Sequence, residues 1–155
     1  MFRFKRLRRQ PRNFQGFTGL KVEQFEALAS ELRGVYVEVQ PTRLEREHRQ
    51  RKVGGGRSFS LGLEERLLLT LMYLRLYVSQ ALLGYLFNLD DSNVSRESNV
   101  RMLPSLKEVL PVPMQDELLT PPVHHQAKKR ISTLDELLNA YPEFKDILAD
   151  ATEQE

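Results

Sequence analysis

A chain of 155 residues, 41% hydrophobic and 28% charged, has room for one ordinary globular domain or for a small domain with appendages. It has no cysteine, which excludes a disulfide framework and any thiolate metal site, and its longest apolar stretch, Leu67–Leu74, is far below the roughly 18 residues of a membrane span. The net charge of +2 is unevenly spread: residues 1–57 hold 14 Lys/Arg against 6 Asp/Glu, and residues 58–155 hold 9 against 15, a basic front on a mildly acidic body that suits a polyanionic partner.

Met1–Arg12 packs six basic residues and no acid into twelve positions. It reads as the start of a basic N-terminal arm over residues 1–20, too short and too charged to bury a core. Arg3, Lys5, Arg6, Arg8 and Arg9 are its candidate phosphate contacts, with Phe2 and Phe4 interleaved as stacking groups. The bland alternative is a solubilising tail. Residues 21–57 form a helical segment and a glycine-rich joint. Lys21–Leu32 carries Val22, Phe25, Leu28, Ala29 and Leu32 on one stripe, with Gly34 as its end. Val35–Val39 alternates like a strand, with no partner strand nearby. Thr42–Lys52 reads as a charged helix, entered at Pro41, that either tracks a DNA backbone or is simply solvated. Gly54-Gly55-Gly56 lacks the Gly-Lys-Ser/Thr of a phosphate-binding loop, so nucleotide binding is rejected, while Arg57 remains a candidate phosphate contact.

Residues 58–110 hold the central motif. Leu63–Leu76 is the most apolar helix, with Glu64 and Glu65 at its N-terminal dipole and only Arg66, Thr70, Tyr73 and Tyr77 as a thin polar stripe, which predicts a buried hub. Ser79–Phe87 is a second helix, with Leu82, Leu83, Leu86 and Phe87 on one side. Gly84 permits close approach by a crossing helix. Asn88 suits the left-handed conformation that ends helices, and Asp91 or Ser92 suits a cap of the next. The pattern predicts a helix-turn-helix, whose second helix enters a DNA major groove. On that helix Val94, Ser98, Met102 and Ser105 share an inward face with Val109. Ser92, Asn93, Arg96 and Asn99 lie opposite and, with Ser95, are the candidate base-reading residues. Arg bonds guanine and Asn bonds adenine bidentately, each pair giving about 1–3 kcal/mol of discrimination. Glu97 opposes this unless it accepts from cytosine. Pro104 predicts a stop or bend near Leu103.

Residues 111–130 read as a proline-rich linker. His124-His125 point to different sides of any regular element, poor geometry for a metal pair. Lys128-Lys129-Arg130 is a short basic patch. In residues 131–155, Thr133-Leu134-Asp135-Glu136 has capping-box spacing and opens a helix to about Ala140, and Pro142 opens a further turn.

The tail Phe144–Glu155, with Asp150-Ala151-Thr152-Glu153, resembles the opening strand of the catalytic domain in bacterial insertion-sequence transposases of the DDE superfamily. Gly54–Tyr77, Leu83–Glu97 and Arg130–Leu138 are similar to the helix-turn-helix module that precedes that domain. The resemblance runs from Phe14 to Glu155. It implies an all-α small helical domain with a helix-turn-helix, a basic N-terminal arm and a C-terminal stub of a ribonuclease-H-like catalytic domain. It further implies a chemistry in which three carboxylates hold two Mg²⁺ ions at a phosphodiester, with Asp150 as the first. Ala149 stands where the family usually has a branched apolar strand residue. The sequence reaches only five residues past Asp150. The expectation is therefore a product truncated after the first catalytic-type aspartate, binding no cofactor by itself and inactive alone. Such a chain is either an upstream product of a split reading frame or a degraded copy. The implied partner is duplex DNA at terminal inverted repeats, with the downstream catalytic product or a second copy beside it and no membrane. A cytoplasmic, nucleoid-associated location in a bacterium is the matching expectation. The rival readings are a stand-alone helix-turn-helix transcription repressor and a helical interaction module that binds no DNA.

Overall fold

The computed structural model describes residues 3–44, 61–95, 102–119, 130–146 and 148, with the backbone alone described at 37–44 and 91. All regular structure among them is helical: α1 (Phe4–Leu7), α2 (Pro11–Thr18), α3 (Val22–Leu44), α4 (Leu63–Arg75), α5 (Gln80–Phe87), α6 (Asp91–Ser95), α7 (Leu103–Val109), α8 (Val112–Leu119) and α9 (Leu134–Ala140). One isolated parallel bridge, Val78 to Ile131, is the sole β pairing in these residues.

The hub is α4, as the apolar run predicts. It packs against α1, α2, α3, α5 and α8, and Leu67, Leu68, Leu69, Leu71 and Met72 are sealed from solvent. A fully buried side chain of this kind contributes about 1.5–3 kcal/mol. Two members of the polar stripe of α4 are buried as well. Arg66, 4% exposed, donates from Nε to the Leu61 carbonyl at 3.1 Å and from its guanidinium to the Tyr36 hydroxyl on α3. Thr70 is buried and donates its hydroxyl proton to the Arg66 carbonyl at 2.9 Å. Both polar groups taken into the interior therefore have partners, as burial requires.

The basic N-terminal arm is corrected. Residues 3–20 are folded: Phe4, Leu7, Phe14 and Phe17 are buried, and the rings of Phe4, Phe14 and Phe25 meet pairwise at 4.9–5.9 Å between centroids. Phe4 and Leu7, and again Phe14 and Phe17, stand three apart, so each pair shares a helix face while the cations lie on the other. Six charges in twelve residues do not prevent burial when the apolar residues share one side. Gly19 ends α2 at φ 81°, and a Cβ there would lie 3.3 Å from Leu118 of α8, so conformation and close approach both favour glycine.

Two boundaries also differ. Gly34 does not end its helix. α3 runs on through Val35–Val39 and Pro41 to Leu44, so the strand-like alternation is helical. Gly34 has open space around it and costs the helix only about 1 kcal/mol against alanine, too little to break it. The proline-rich linker at 111–130 contains α8. Pro113 falls in its first turn, where no backbone N–H is needed. Gln115 then ties the corner, donating from Nε2 to the carbonyls of Lys107 (3.0 Å) and Leu110 (2.7 Å). Near Leu103, where Pro104 predicts a stop or bend, α7 begins, with Pro104 in its first turn. His124, His125, Lys128 and Lys129 are outside the described residues.

The segment after 130 shares the common core. Thr133 and Glu136 form the expected capping box of α9, Leu137 is fully buried, and Phe144 packs on Phe17 with centroids 4.2 Å apart.

Candidate nucleic-acid interface

The helix-turn-helix is assembled from local signals. Ser79 caps α5, its hydroxyl oxygen accepting from the Leu82 N–H at 3.2 Å. Asn88 closes α5 in the left-handed region at φ 56°, ψ 55°. The Leu89 N–H then returns to the Gly84 carbonyl at 2.8 Å, a six-residue closure of the Schellman kind. The Asp90 carbonyl accepts from Asn93 (2.9 Å) and Val94 (3.1 Å), which starts α6 at once. Gly84 is buried and α5 packs directly on α6.

Val94 is fully buried, half-buried Leu89 packs on the core, and Ser92 is exposed, with Asn93 and Ser95 intermediate. The start of α6 thus turns its apolar residue inward and short hydrogen-bonding residues outward. Arg96 and Asn99, the two residues best suited to bidentate base contacts, lie outside the described residues, as do Arg57 and Asp150. Met102 and Ser105, expected on the inward face, are both buried.

The basic residues near the N-terminus sit on a folded support. Lys5 and Arg9 are exposed on α1 and the turn after it, and Arg3 and Arg6 are half-exposed. The Arg8 guanidinium pairs with Glu26 of α3 at 3.0 Å and lies 5.7 Å from the Phe4 ring centre. With both partners nearly half exposed, such a pair stabilises by at most about 1 kcal/mol. Its chief consequence is that Arg8 has a carboxylate partner already. Lys5, Arg8 and Arg33 face Glu26, Glu64 and Glu65 around a shallow 380 Å³ hollow between α1, α3 and α4, whose mixed charge suits no single ligand sign.

Sequence spacing gives no hint of the residue that holds the α4–α5 turn. Tyr77 in that turn has φ 53°, unusual for a bulky side chain and worth about 1–3 kcal/mol of strain. Arg130, expected in a surface basic patch, instead lies over both Tyr73 and Tyr77, 4.3 and 4.5 Å from their ring centres, and donates to the Val78 carbonyl at 3.2 Å. Tyr73 lies in the last turn of α4 and Tyr77 in the turn beyond it, and nothing in their spacing names Arg130. Close by, burial pushes the Tyr141 hydroxyl above its ordinary value, with Arg75 opposing and Glu143 adding to the shift.

No helix among the described residues is long and apolar enough to cross a membrane, and no three His, Cys, Asp or Glu side chains among them converge as a metal site would require. Residues 59–99, spanning α4, α5 and α6, match the family model described as helix-turn-helix of DDE superfamily endonuclease. No curated protein and no solved structure matches the chain. The match and the α5–turn–α6 geometry fall on the same residues, and both point to DNA binding. Residues 59–99 are therefore similar, in sequence pattern and in helix order, to the helix-turn-helix of the DDE superfamily endonucleases.

Proposed function

We propose that this chain is the DNA-binding part of an insertion-sequence transposase and recognises the terminal inverted repeats of its element. The observation that carries the reading is the start of α6. Val94 is sealed into the core and Ser92 stands out in solvent, one turn after a left-handed Asn88, inside the segment that matches the family model. In this arrangement α6 lies in the major groove, with Ser92, Asn93 and Ser95 near its N-terminal end and Arg96 and Asn99 beyond them as the bidentate readers. Lys5 and Arg9, with Arg3, Arg6 and Arg57, supply phosphate contacts that position the module without reading sequence.

The proposal is for binding alone. Asp150, the carboxylate that the resemblance assigns to Mg²⁺, lies outside the described residues, and one carboxylate does not hold two metal ions.

Selection from a pool of random duplexes, followed by anisotropy titration of the enriched sequence, tests the reading. The expected result is one enriched motif, also found in inverted repeats flanking the gene. Arg96→Ala should weaken binding to it by about five- to 150-fold, the equivalent of one bidentate contact, and relax preference at one base pair. Neutralising Lys5 and Arg9 should weaken binding to all duplexes and flatten the salt dependence by about 0.9 for each phosphate that is no longer neutralised. A pool that emerges unenriched would overturn the reading.

A further inference from the structure

The turn that launches the helix-turn-helix is held from far along the chain. Only Leu76–Ser79 joins α4 to α5, and within it Tyr77 occupies a backbone conformation that a tyrosine keeps only where its surroundings impose it. The surroundings are residues 130 and 131. The Ser79 N–H donates to the Ile131 carbonyl at 2.7 Å, and the Ile131 N–H donates to the Tyr77 carbonyl at 3.1 Å. The Arg130 guanidinium donates to the intervening Val78 carbonyl at 3.2 Å. Three successive residues of the turn are thus bonded to a segment about fifty residues away. The same guanidinium lies over the rings of Tyr73, on the last turn of α4, and Tyr77, in the turn itself. Residues 130 and 131 lead directly into α9, whose capping box joins Thr133 and Glu136 and whose Leu137 is fully buried.

We infer that Arg130 is a positioning residue for DNA reading. It acts through the α4–α5 turn to set the direction in which α5, and α6 packed on it, leave the hub. A planar cation suits this task because its charge lies over aromatic rings while an N–H at its edge donates to a carbonyl. Ser79, whose N–H the segment holds, is also the cap of α5, so release of the segment loosens the first turn of the reading unit. The inference rests on the proposed DNA reading. It adds that residues 59–99 do not carry their own orientation, which is completed by the strand-like contact at 130–131.

The test compares the full-length chain with Arg130→Met, which keeps the stem and removes the planar cation, and with Arg130→Lys, which keeps a charge without the fork. All are assayed well below their melting temperatures. Hydrogen exchange reads the turn directly and needs no DNA: the Ser79 amide should exchange faster in Arg130→Met while amides of α2 and α3 stay as they are. Titration with the enriched duplex and with a scrambled duplex reads the consequence. The ratio of the two affinities should fall by about threefold to thirtyfold in Arg130→Met, the range spanned by a cation over aromatic rings. The slope of affinity against salt should stay unchanged, and Arg130→Lys should recover part of the ratio. Unchanged protection at Ser79 overturns the clamp. Faster exchange at Ser79 with an unchanged affinity ratio overturns the positioning role and leaves a structural tie. An unaltered chain that prefers no duplex removes the DNA reading itself, which separates that failure from the other two.

Discussion

The pairs α1–α2 and α5–α6 are both short helices that lay polar residues over a few apolar ones, yet they are held in opposite ways. α5 and α6 are fixed by neighbours in sequence: a serine cap, a left-handed asparagine, and a carbonyl that opens the next helix three residues on. α1 and α2 have no side-chain caps and are fixed by aromatic contacts with residues far along the chain, Phe25 on α3 and Phe144 after α9. Locally held helices present a surface whose composition can be read directly. Remotely held helices look like a charged tail until their partners are known.

That contrast sets the largest expected effect. Phe14 is fully buried between Phe4 and Phe25, so Phe14→Ala should destabilise the fold by about 3–5 kcal/mol in a denaturant titration. The folded fraction should keep its preference among duplexes, because the altered contacts lie away from α6. Val94→Ala removes less buried surface and should cost about 2 kcal/mol. Its effect should fall on base preference, since Val94 is the residue that seats α6. The comparison breaks if the two variants lose preference equally once matched for folded fraction.

The two regions meet on α4, which packs on α1, α2 and α5, while α3 packs on α2, α4 and α7. A smaller effect tests the continuity of α3. Gly34 sits within α3 with nothing near the place a Cβ would occupy, so Gly34→Ala should stabilise by about 0.5–1 kcal/mol through reduced freedom of the unfolded chain. If Gly34 instead ended the helix in a left-handed conformation, alanine would destabilise, so the sign of the change in urea midpoint decides.

What is legible in the sequence follows the same division. The hub α4, the left-handed Asn88, the inward Val94 and the capping box of α9 are all set by residues within one or two turns of one another, and their spacing carries the information. The folded N-terminus, the continuation past Gly34 and the helix inside 111–119 escape such a reading, because charge, glycine and proline look like breakers when only their neighbours are weighed. In the fold, Phe25, open space around Gly34 and first-turn placement of Pro113 remove the penalty. On α6, Ser92 is exposed and Asn93 and Ser95 are half-exposed, whereas Arg8 is tied to Glu26, a residue eighteen positions later. Arg130 is illegible for the same reason: nothing in Lys128-Lys129-Arg130 names Tyr73, Tyr77 or the Val78 carbonyl as its partners.

The smallest expected effect concerns the C-terminal segment that touches both regions, through Arg130 at the α4–α5 turn and Phe144 at α2. Tyr141 lies between them, and burial raises its hydroxyl above the ordinary tyrosine value of 10.0. As pH climbs past that value the unfolded chain releases the proton while the folded chain still holds it. The unfolded state then binds fewer protons, so stability falls with rising pH. The contribution is whole below the ordinary value and is lost as pH rises through the folded one. Urea midpoints taken across this alkaline range should drop for the unaltered chain and drop less for Tyr141→Phe. Arg75→Gln supplies the opposite arm, because the Arg75 guanidinium favours the ionised hydroxyl and its removal leaves burial unopposed. The alkaline loss should then steepen. Equal slopes in all three chains would mean that this end of the segment is open to water, and that Phe144 and Leu137 hold it to the core without sealing the residue between them.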